Sequence, residues 1–441
     1  MNRFRMTPWM WVALCVLLPL AAWFISTPTD MRNANFFTWR NESINASGLM
    51  AYAVFAACML LAARTRWLEQ RLGGLDKSYR LHKWLGICGA MLVFTHWMLE
   101  IIPKKLVGLG WLARPARGHG DGPEQWLTFM HGPAKDVGEW MAYLMIALAL
   151  IALIRLVPYH WFRRLHKVFP LAFLAVTFHG IVLLPDAAWA SSAGLLFALC
   201  AGVGSAAAIY SLRGLVGRGQ QHAATVSSMR KLADDMVEIE CAVAGNGMPH
   251  RAGQFAFVRW RASRDAHPFT IAGGSNDPRQ LRFCIKALGD DTRALLDTLR
   301  PGMAVTLEGP YGGFDFRADG QAQVWVGAGI GITPFLARLE TLAREPANMP
   351  VDFYYCAPVN SPFRELLEGM CARANVQLHW IDAQRDGLLD LKRILADQKR
   401  ATHGQHLWFC GPQAFGDALQ RAWRQAGLEA RHFHREYFAF R

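Results

Sequence analysis

Four histidines lie inside long apolar stretches of the first half of the chain, at positions 82, 96, 166 and 179. An ionisable side chain at membrane depth is costly, and proteins keep one there mainly where it serves a site. His82 and His96 are 14 residues apart, and His166 and His179 are 13 apart. This matched spacing makes the four side chains candidates for one shared function.

Helix geometry explains why the spacing matters. Fourteen helical residues rise about 21 Å and return to within about 40° of the starting face. Two histidines on one helix then point the same way, one near each side of a bilayer. Thirteen residues leave a larger error, so we expect a local distortion in the second helix, with Pro170 as its cause.

Two helices that run in the same direction would place His82 level with His166, and His96 level with His179. Each pair can ligate one haem iron axially through imidazole nitrogens, so the pattern indicates two stacked b-type haems that carry electrons across the membrane. The alternative is that these histidines only serve helix packing. The other histidines of this half, His119, His131 and His160, are expected in loops and not as ligands.

Six apolar runs of spanning length must position these side chains. They cover residues 8–26, 46–64, 81–102, 139–157, 165–184 and 192–212. No clear cleavage site follows the first run, so we interpret it as an uncleaved anchor. With 52% hydrophobic and 18% charged residues among 441, the chain is expected to be half membrane-embedded and half soluble.

The net charge of +13 lies mostly in the membrane half, which disfavours nucleic acid as a partner. With the N-terminus in the cytoplasm, the segments that connect the spans on the inner side hold fourteen cationic and two acidic side chains. Those on the outer side hold seven cationic and eight acidic side chains. This asymmetry predicts an inner (plasma) membrane protein with both termini and the second half cytoplasmic.

The sequence pattern changes near residue 219, where the long apolar runs end and short β-type runs begin. Short β-type runs at Gln254–Trp260, Leu281–Lys286 and Ala304–Glu308 predict an antiparallel barrel. From about residue 322, strands alternate with helices, which predicts a doubly wound parallel sheet. The predicted domains are 1–218 for the membrane bundle, 219–318 for the barrel and 319–441 for the α/β domain.

A glycine-rich segment follows the first strand of the α/β domain and opens a helix, the context of a dinucleotide phosphate loop. It runs Gly327-Ala328-Gly329-Ile330-Gly331-Ile332-Thr333-Pro334, spaced GxGxG rather than GxGxxG. Cys410-Gly411-Pro412 ends a later strand at the same expected sheet edge. Taken alone, His267-Pro268-Phe269-Thr270 is only a turn, and Gly289–Thr292 is either a pyrophosphate-binding helix start or an ordinary cap.

The order of these motifs resembles the ferric reductase and NADPH oxidase superfamily. In that family a six-helix haem domain is fused to a ferredoxin-reductase-type FAD and NAD(P) module. The resemblance covers about residue 46 to Arg441. It implies FAD, two haem b groups and NAD(P)H as cofactors, with a lipid bilayer around the first domain.

The resemblance also implies roles for individual residues. The four histidines would be the haem ligands, and Gly327–Pro334 the nicotinamide-nucleotide loop. Cys410, Glu436 and Phe438 would lie at the hydride path, with Gly411 and Pro412 beside the nicotinamide; Ala439-Phe440-Arg441 extend beyond the family's usual aromatic ending, so the stacking aromatic is Phe438 or Phe440. The remaining implied cofactor contacts are His267, Pro268, Phe269, Thr270, Lys286, Gly289, Thr292, Gly309 and Tyr311.

The implied activity is a transmembrane oxidoreductase that passes electrons from cytosolic NAD(P)H through FAD and the haems to an outer acceptor. That acceptor is O2, giving superoxide, or a ferric or cupric chelate. The outer loop at about 103–138 would either form a pocket for this acceptor or only cover the outer haem, and it contains Lys104, Lys105, Arg114, Arg117, His119 and His131. The alternatives are a periplasmic redox protein or quinone as acceptor, or a non-catalytic membrane protein with a regulatory flavodomain. No arginine follows the second α/β strand until Arg364, so NADH and NADPH both stay open.

Overall fold

A computed structural model describes residues 8–27, 35–113, 127–154, 157, 159–260, 266–274, 276–318, 321–346, 349–397 and 404–436. The chain divides into two compact units, with the main boundary between Val216 and Gly217; Gly73–Asp76 group with the second unit. The first unit is helical, and the second contains two β-sheets.

Among the described residues of the first unit, six helical segments are long and apolar enough to cross a membrane, which confirms the predicted number. They are α1 (Pro8–Ser26), α2 (Phe36–Ala62), α4 (Leu75–Gly108), a segment that includes α5 (His131–Leu153), the pair α6 (Tyr159–His166) and α7 (Phe169–Leu183), and α9 (Ser192–Leu212). The short helices α3 (Arg66–Leu72) and α8 (Asp186–Trp189) lie between them. Helices α2 and α4 extend beyond the predicted apolar runs, because backbone hydrogen bonding continues through their polar ends.

The fifth span is interrupted between His166 and Phe169, where α6 ends and α7 begins. Pro170 stands in the first turn of α7. A proline has no N–H, so residue 170 cannot donate to the carbonyl of His166 four positions earlier. The expected distortion in this helix is therefore present, next to the histidine that it must orient.

The interior of the helical unit is formed by aromatic side chains and small residues. Tyr52 and Phe55 of α2 pack with Phe169 and Phe173 of α7 in one buried cluster. Gly204 of α9 faces the Phe173 ring so closely that a Cβ there would overlap it. Small residues of this kind let transmembrane helices approach each other.

The first sheet of the second unit is a closed antiparallel barrel in the order β1-β2-β5-β4-β3-β6. Its strands are β1 (Gln221–Ala233), β2 (Met236–Val243), β3 (Phe255–Trp260), β4 (His267–Gly273), β5 (Gln280–Lys286) and β6 (Ala304–Tyr311), with helix α10 (Asp290–Thr298) between β5 and β6. The interpretation of residues 267–270 as only a turn was wrong, because they pair with β3 as the start of β4.

The second sheet has five parallel strands in the order β11-β10-β7-β8-β9. The strands are β7 (Gln323–Ala328), β8 (Val351–Cys356), β9 (Gln377–Ile381), β10 (His406–Cys410) and β11 (Phe433–Arg435). The helices are α11 (Thr333–Leu342), α12 (Arg364–Ala374), α13 (Ala383–Asp386), α14 (Leu391–Asp397) and α15 (Gln413–Gln425).

Alternating side chains of β7 join two different cores. Trp325 packs with residues of α11 and α12, whereas Val324 and Val326 pack with residues of α14 and α15. Helices therefore cover both faces, which confirms the doubly wound arrangement. The chain moves from β7 through β8 to β9 and then returns to place β10 on the other side of β7. The carboxyl ends of β7 and β10 thus form the switch point where such sheets bind ligands.

Candidate functional site

The four predicted histidines form two pairs in the helical unit. The ring centroids of His82 and His166 are 6.0 Å apart, and those of His96 and His179 are 6.5 Å apart. A nitrogen about 2 Å from a metal, with the ring centre about 1.2 Å behind it, gives about 6.4 Å between two axial imidazoles on one iron. Both separations fit one iron between the rings of each pair.

Hydrogen bonds to backbone carbonyls fix three of these rings. His82 Nδ1 lies 3.2 Å from the Cys58 oxygen, and His96 Nδ1 lies 2.9 Å from that of Ile44. His179 Nδ1 lies 2.8 Å from the oxygen of Ala134. An Nδ1–H bonded in this way leaves Nε2 as the free lone pair, the usual state of a metal-binding histidine.

Two glycines leave room for the His96/His179 pair. A Cβ on Gly48 would lie 3.1 Å from His96 Cε1, and one on Gly138 would overlap the His179 ring. The two glycines come from α2 and α5, and the histidines from α4 and α7. The rings therefore stand in places that the neighbouring helices keep clear.

Two of the remaining histidines of the helical unit lie in helices and not in the expected loops. His131 is the first residue of α5, and position 160 lies within α6. His119 lies outside the described residues, as do Arg114 and Arg117 of the predicted outer loop.

Two described cations of the predicted outer loop lie in a helix. Lys104 and Lys105 belong to α4, and Lys104 is paired with Glu100. In the part of the chain that the structure describes, no group of three or more His, Cys, Asp or Glu side chains is arranged to hold a metal ion.

The barrel places the His267–Thr270 segment beside aromatic side chains. Thr270 pairs with Phe255 and Pro268 with Phe257 across the strands. Phe255 packs on Tyr311, whose hydroxyl donates a 2.8 Å hydrogen bond to Glu308. Gly309 lies between Glu308 and Tyr311 on β6, so one side of the barrel gathers most of the predicted barrel positions.

The start of α10 has the hydrogen bonds of an ordinary helix cap. The Thr292 hydroxyl accepts hydrogen bonds from the N–H groups of Leu288, at 3.0 Å, and Gly289, at 3.1 Å. The first-turn N–H groups of a helix have no acceptor within the helix, which suits an anion. Lys286 ends β5 and forms a 3.4 Å ion pair with Asp235.

The glycine-rich loop lies at the carboxyl end of β7. Gly327 pairs with Cys410 of β10 in the parallel register. A Cβ on Gly331 would overlap the Cys410 carbonyl oxygen, whereas Gly329, with φ of +55°, faces open space. The Tyr355 hydroxyl donates a 3.0 Å hydrogen bond to the Gly329 carbonyl. The loop is therefore held from both neighbouring strands and exposes the backbone of residue 329, where a phosphate could approach.

The loop continues into a single helical turn and then into α11. Ala328 ends β7, and Gly329–Ile332 form the turn that contains Ile330. Thr333 and Pro334 begin α11, and both are buried. This is the strand–turn–helix context that a phosphate loop requires.

Cys410 and Glu436 come together at the same sheet edge. The Cys410 side chain is buried, and burial, helped by the nearby Glu436 carboxylate, raises the pKa of its thiol. A Cβ on Gly312 would lie 2.6 Å from Glu436 Oε1. The predicted Phe438 lies outside the described residues, while Gly411 packs against Ala328 and Pro412 precedes α15.

Sequence reasoning missed two residues that shape this edge. Tyr355 anchors the glycine loop, and Asp382 accepts a 3.0 Å hydrogen bond from the N–H of Val359. A tyrosine inside an apolar strand has no motif of its own. Asp382 could have been found, because an acid directly after a strand of a doubly wound sheet lies at the edge where ligands bind.

Two family models match parts of the chain. Residues 47–177 match the ferric reductase-like transmembrane component, and residues 221–314 match an FAD-binding domain. The first match contains His82, His96 and His166, and the second contains β1 to β6.

Two curated relatives each match less than half of the chain. A vanillate O-demethylase oxidoreductase from Pseudomonas sp. strain HR199 is 30% identical over 48% of this chain and 68% of its own length. The reductase subunit of a tert-butanol monooxygenase / tert-amyl alcohol desaturase from Aquincola tertiaricarbonis is 32% identical over 37% of this chain and 49% of its own. A solved ferredoxin reductase of carbazole 1,9a-dioxygenase shares 18% identity over 49% of this chain and 69% of that one, with a TM-score of 0.44.

These matches and the two folded units describe one kind of molecule. A multi-pass membrane domain is joined to a module that binds FAD and a nicotinamide nucleotide, as in an electron-transferring flavoprotein oxidoreductase. The chain belongs to the ferric reductase and NADPH oxidase superfamily, with a ferric-reductase-type transmembrane component fused to a ferredoxin-reductase-type FAD-binding module.

Proposed function

We propose that the protein is a flavohaem oxidoreductase that passes electrons from cytosolic NAD(P)H, through FAD and two b-type haems, to an acceptor on the outer side of the plasma membrane. The observation that carries this proposal is the pair of facing imidazoles at each of two levels in the helical unit, 6.0 Å and 6.5 Å between ring centroids.

The residues have separate tasks in this proposal. His82 with His166 would hold the inner haem, and His96 with His179 the outer one. Gly327–Pro334 would cradle the nucleotide phosphates, and His267–Thr270 with Gly289–Thr292 would bind FAD. When bound, these cofactors supply the change from two-electron to one-electron chemistry, while the chain supplies binding and orientation.

The charge asymmetry supports the orientation. The connections on the proposed cytoplasmic side carry a large excess of Lys and Arg, and those on the outer side carry none. Both termini and the flavin module would then be cytoplasmic. The proposed domain limits are 1–218, 219–318 and 319–441.

Two classes of acceptor fit this arrangement. The first is a small molecule, either O2, which gives superoxide, or a ferric or cupric chelate. The second is a redox protein or a quinone. The similarity to the reductase subunit of tert-butanol monooxygenase favours keeping a protein acceptor as the second candidate.

Haem spectra of the purified protein test the proposal. We expect b-type bands of bis-imidazole haem at low temperature, with about half of the haem lost when His96 and His179 are both changed to alanine. His131→Ala is the matched control, because that residue lies in the same unit and is not a proposed ligand. Absence of the bands, or full haem content in the His96→Ala/His179→Ala variant, would refute the haem assignment.

Acceptor turnover forms a separate test. NAD(P)H oxidation is measured with O2 alone, and then anaerobically with ferric and cupric chelates. Rapid oxidation with one of these identifies a small-molecule acceptor. Reduction of the haems without onward transfer to any of them favours a protein or quinone.

A further inference from the structure

An ion pair joins the barrel to the α/β domain, and both of these belong to the second unit. Arg282 Nη2, on β5, lies 3.6 Å from Glu340 Oε2, on α11. Beside this pair, the same elements and β4 form one buried apolar cluster that includes Ala272, Cys284, Leu336 and Leu339. Apolar contacts are non-directional, so the ion pair adds a charged contact at one defined place of the junction.

Gly273 makes the space for this ion pair. It is the last residue of β4 and pairs with Arg282 in the antiparallel register of β4 and β5. A Cβ at this position would lie 2.7 Å from Glu340 Oε2 and 3.0 Å from Arg282 Cζ. Its φ is not in the left-handed region, so the glycine is needed for space and not for a turn.

The Glu340 carboxylate depends on the positive charge of Arg282. Its Oε2 is buried and accepts no hydrogen bond from the described residues. Its Oε1 lies 3.8 Å from Arg344 Nη2 on the same helix. Burial lowers the pKa of the nearby His250, and Glu340 opposes that shift. Since His250 is then neutral at pH 7, Arg282 is the cation that meets this carboxylate from the barrel.

The ion pair connects two elements that begin at the proposed cofactor contacts. Helix α11 begins with Thr333 and Pro334, at the end of the glycine-rich loop. Strand β4 begins with the proposed flavin segment, His267–Thr270, and ends at Gly273. Helices and paired strands hold a site more precisely than loops do. A link between α11 and the end of β4 therefore fixes the glycine-rich loop relative to the flavin segment.

Hydride transfer is sensitive to that relative position. The reaction breaks a C–H bond of the reduced nicotinamide, which is oxidised, and forms an N–H bond on the flavin, which is reduced. The two reacting atoms must stand about 3–3.5 Å apart, and a shift of about 1 Å can cost on the order of a hundredfold in rate.

We propose that Glu340 is a positioning residue, which acts through Arg282 to set the distance between the nucleotide loop and the flavin segment for hydride transfer. The inference rests on the proposed function, since it concerns the step that loads the same flavin. The role is geometric, because Glu340 fixes the approach of two bound groups and adds nothing to the binding of either.

Anaerobic stopped-flow reduction of the flavin in the full-length protein tests this role. Glu340→Gln keeps the size of the side chain and removes its charge. We expect the maximal rate constant of flavin reduction to fall about tenfold, with the half-saturating nucleotide concentration nearly unchanged. Arg282→Gln should have the same effect, and the double variant should be no slower than either single variant, because the two side chains act as one pair.

Glu240→Gln is the matched control. This acid also pairs with Arg282, at 3.9 Å, but it belongs to β2 and the contact stays within the barrel. Its loss should leave the rate constant unchanged. Gly273→Ala provides a second test that keeps every charge, because its methyl group must push Glu340 away from Arg282, and it should slow flavin reduction as Glu340→Gln does.

Amide hydrogen exchange gives a readout that needs no turnover. We expect faster exchange in α11 and β4 of Glu340→Gln, because the link between them is lost, and unchanged exchange in β1 and α15. Slower flavin reduction together with this pattern supports the proposal.

Four results would overturn the inference and leave the proposed function standing. These are an unchanged rate constant in Glu340→Gln, a change in half-saturation alone, an equal effect of Glu240→Gln, and unchanged exchange in α11 and β4. Loss of FAD from Glu340→Gln, Arg282→Gln and Gly273→Ala alike would also overturn it, because the pair would then serve folding. If neither NADH nor NADPH reduces the flavin of the unchanged protein, the proposed function fails together with this inference.

Discussion

The carbonyl oxygen of Cys410 occupies the space that a Cβ on Gly331 would need. This contact joins the glycine-rich loop after β7 to the Cys-Gly-Pro turn after β10, so the two motifs form one surface at the carboxyl edge of the sheet. The glycine is required there by the neighbouring backbone, and not only by a nucleotide.

Gly331→Ala should therefore damage the nucleotide site. The added methyl group must displace the loop or the Cys410 backbone, and we expect the KM for the nicotinamide nucleotide to rise at least about tenfold. Steady-state kinetics of the full-length protein measure this change. Gly369→Ala is the control, because its Cβ would meet only Arg373 at 3.7 Å in the middle of α12, and a KM shift of similar size there would contradict the explanation.

Gly138→Ala should disturb the outer imidazole pair. Its Cβ would overlap the His179 ring, so the ring must turn away from His96. We expect the low-temperature spectrum of about half of the proposed haem to shift or disappear. Gly202→Ala in α9, where a Cβ would meet nothing within 4 Å, should leave the spectrum unchanged.

Arg40 replaces a hydrogen-bond donor that Pro103 removes from inside α4. Because residue 103 has no N–H, the Leu99 carbonyl lacks its helical donor, and Arg40 Nε donates to that carbonyl at 3.0 Å. Arg40→Gln should lower the free energy of unfolding by about 1–3 kcal/mol. In a Pro103→Ala background the restored N–H of residue 103 can donate to the Leu99 carbonyl. Arg40→Gln should then lower the free energy of unfolding by clearly less.

Thermal unfolding of the four proteins in detergent measures this coupling as a double-mutant cycle. Lys105→Gln, a neighbouring cation, serves as control. Additive effects of Arg40→Gln and Pro103→Ala would show that the arginine acts elsewhere.

His250 should make the second unit sensitive to acid. Burial lowers the pKa of this histidine in the folded protein. The unfolded chain, with an ordinary histidine pKa of about 6.5, then binds a proton that the folded state does not, so stability rises with pH and falls below about 6.5. The loss of flavin-domain melting temperature between pH 7.5 and pH 5.5 should be smaller in His250→Asn than in the unchanged protein. An identical loss in both would exclude a contribution from this residue.

The sequence predicted features that follow from periodicity and from the position of glycines. The six spans and the strand–loop–helix at Gly327–Pro334 are repetitive or local, and each is present. The segment at His267 was misread because its proline and histidine resemble a turn, whereas pairing with β3, which is distant in the sequence, makes it a strand.

Other features depend on contacts that no local pattern records. The approach of Glu436 to Gly312 joins residues more than a hundred positions apart. The hydrogen bond from Val359 to Asp382 forms only because β8 and β9 lie side by side. Tertiary pairing determines these sites, so their residues could be listed from the sequence but their neighbours could not.

The interruption between α6 and α7 has a further consequence for the four imidazoles. His82, His96 and His179 each have Nδ1 held by a backbone carbonyl, but His166 Nδ1 is buried with no hydrogen-bond partner among the described residues. A histidine without such an acceptor is a poorer electron donor and is less firmly aimed. In the His82/His166 pair, a hydrogen bond therefore fixes the His82 ring but not the His166 ring. We expect the proposed bond from His166 to haem iron to be the weakest of the four and the most easily exchanged.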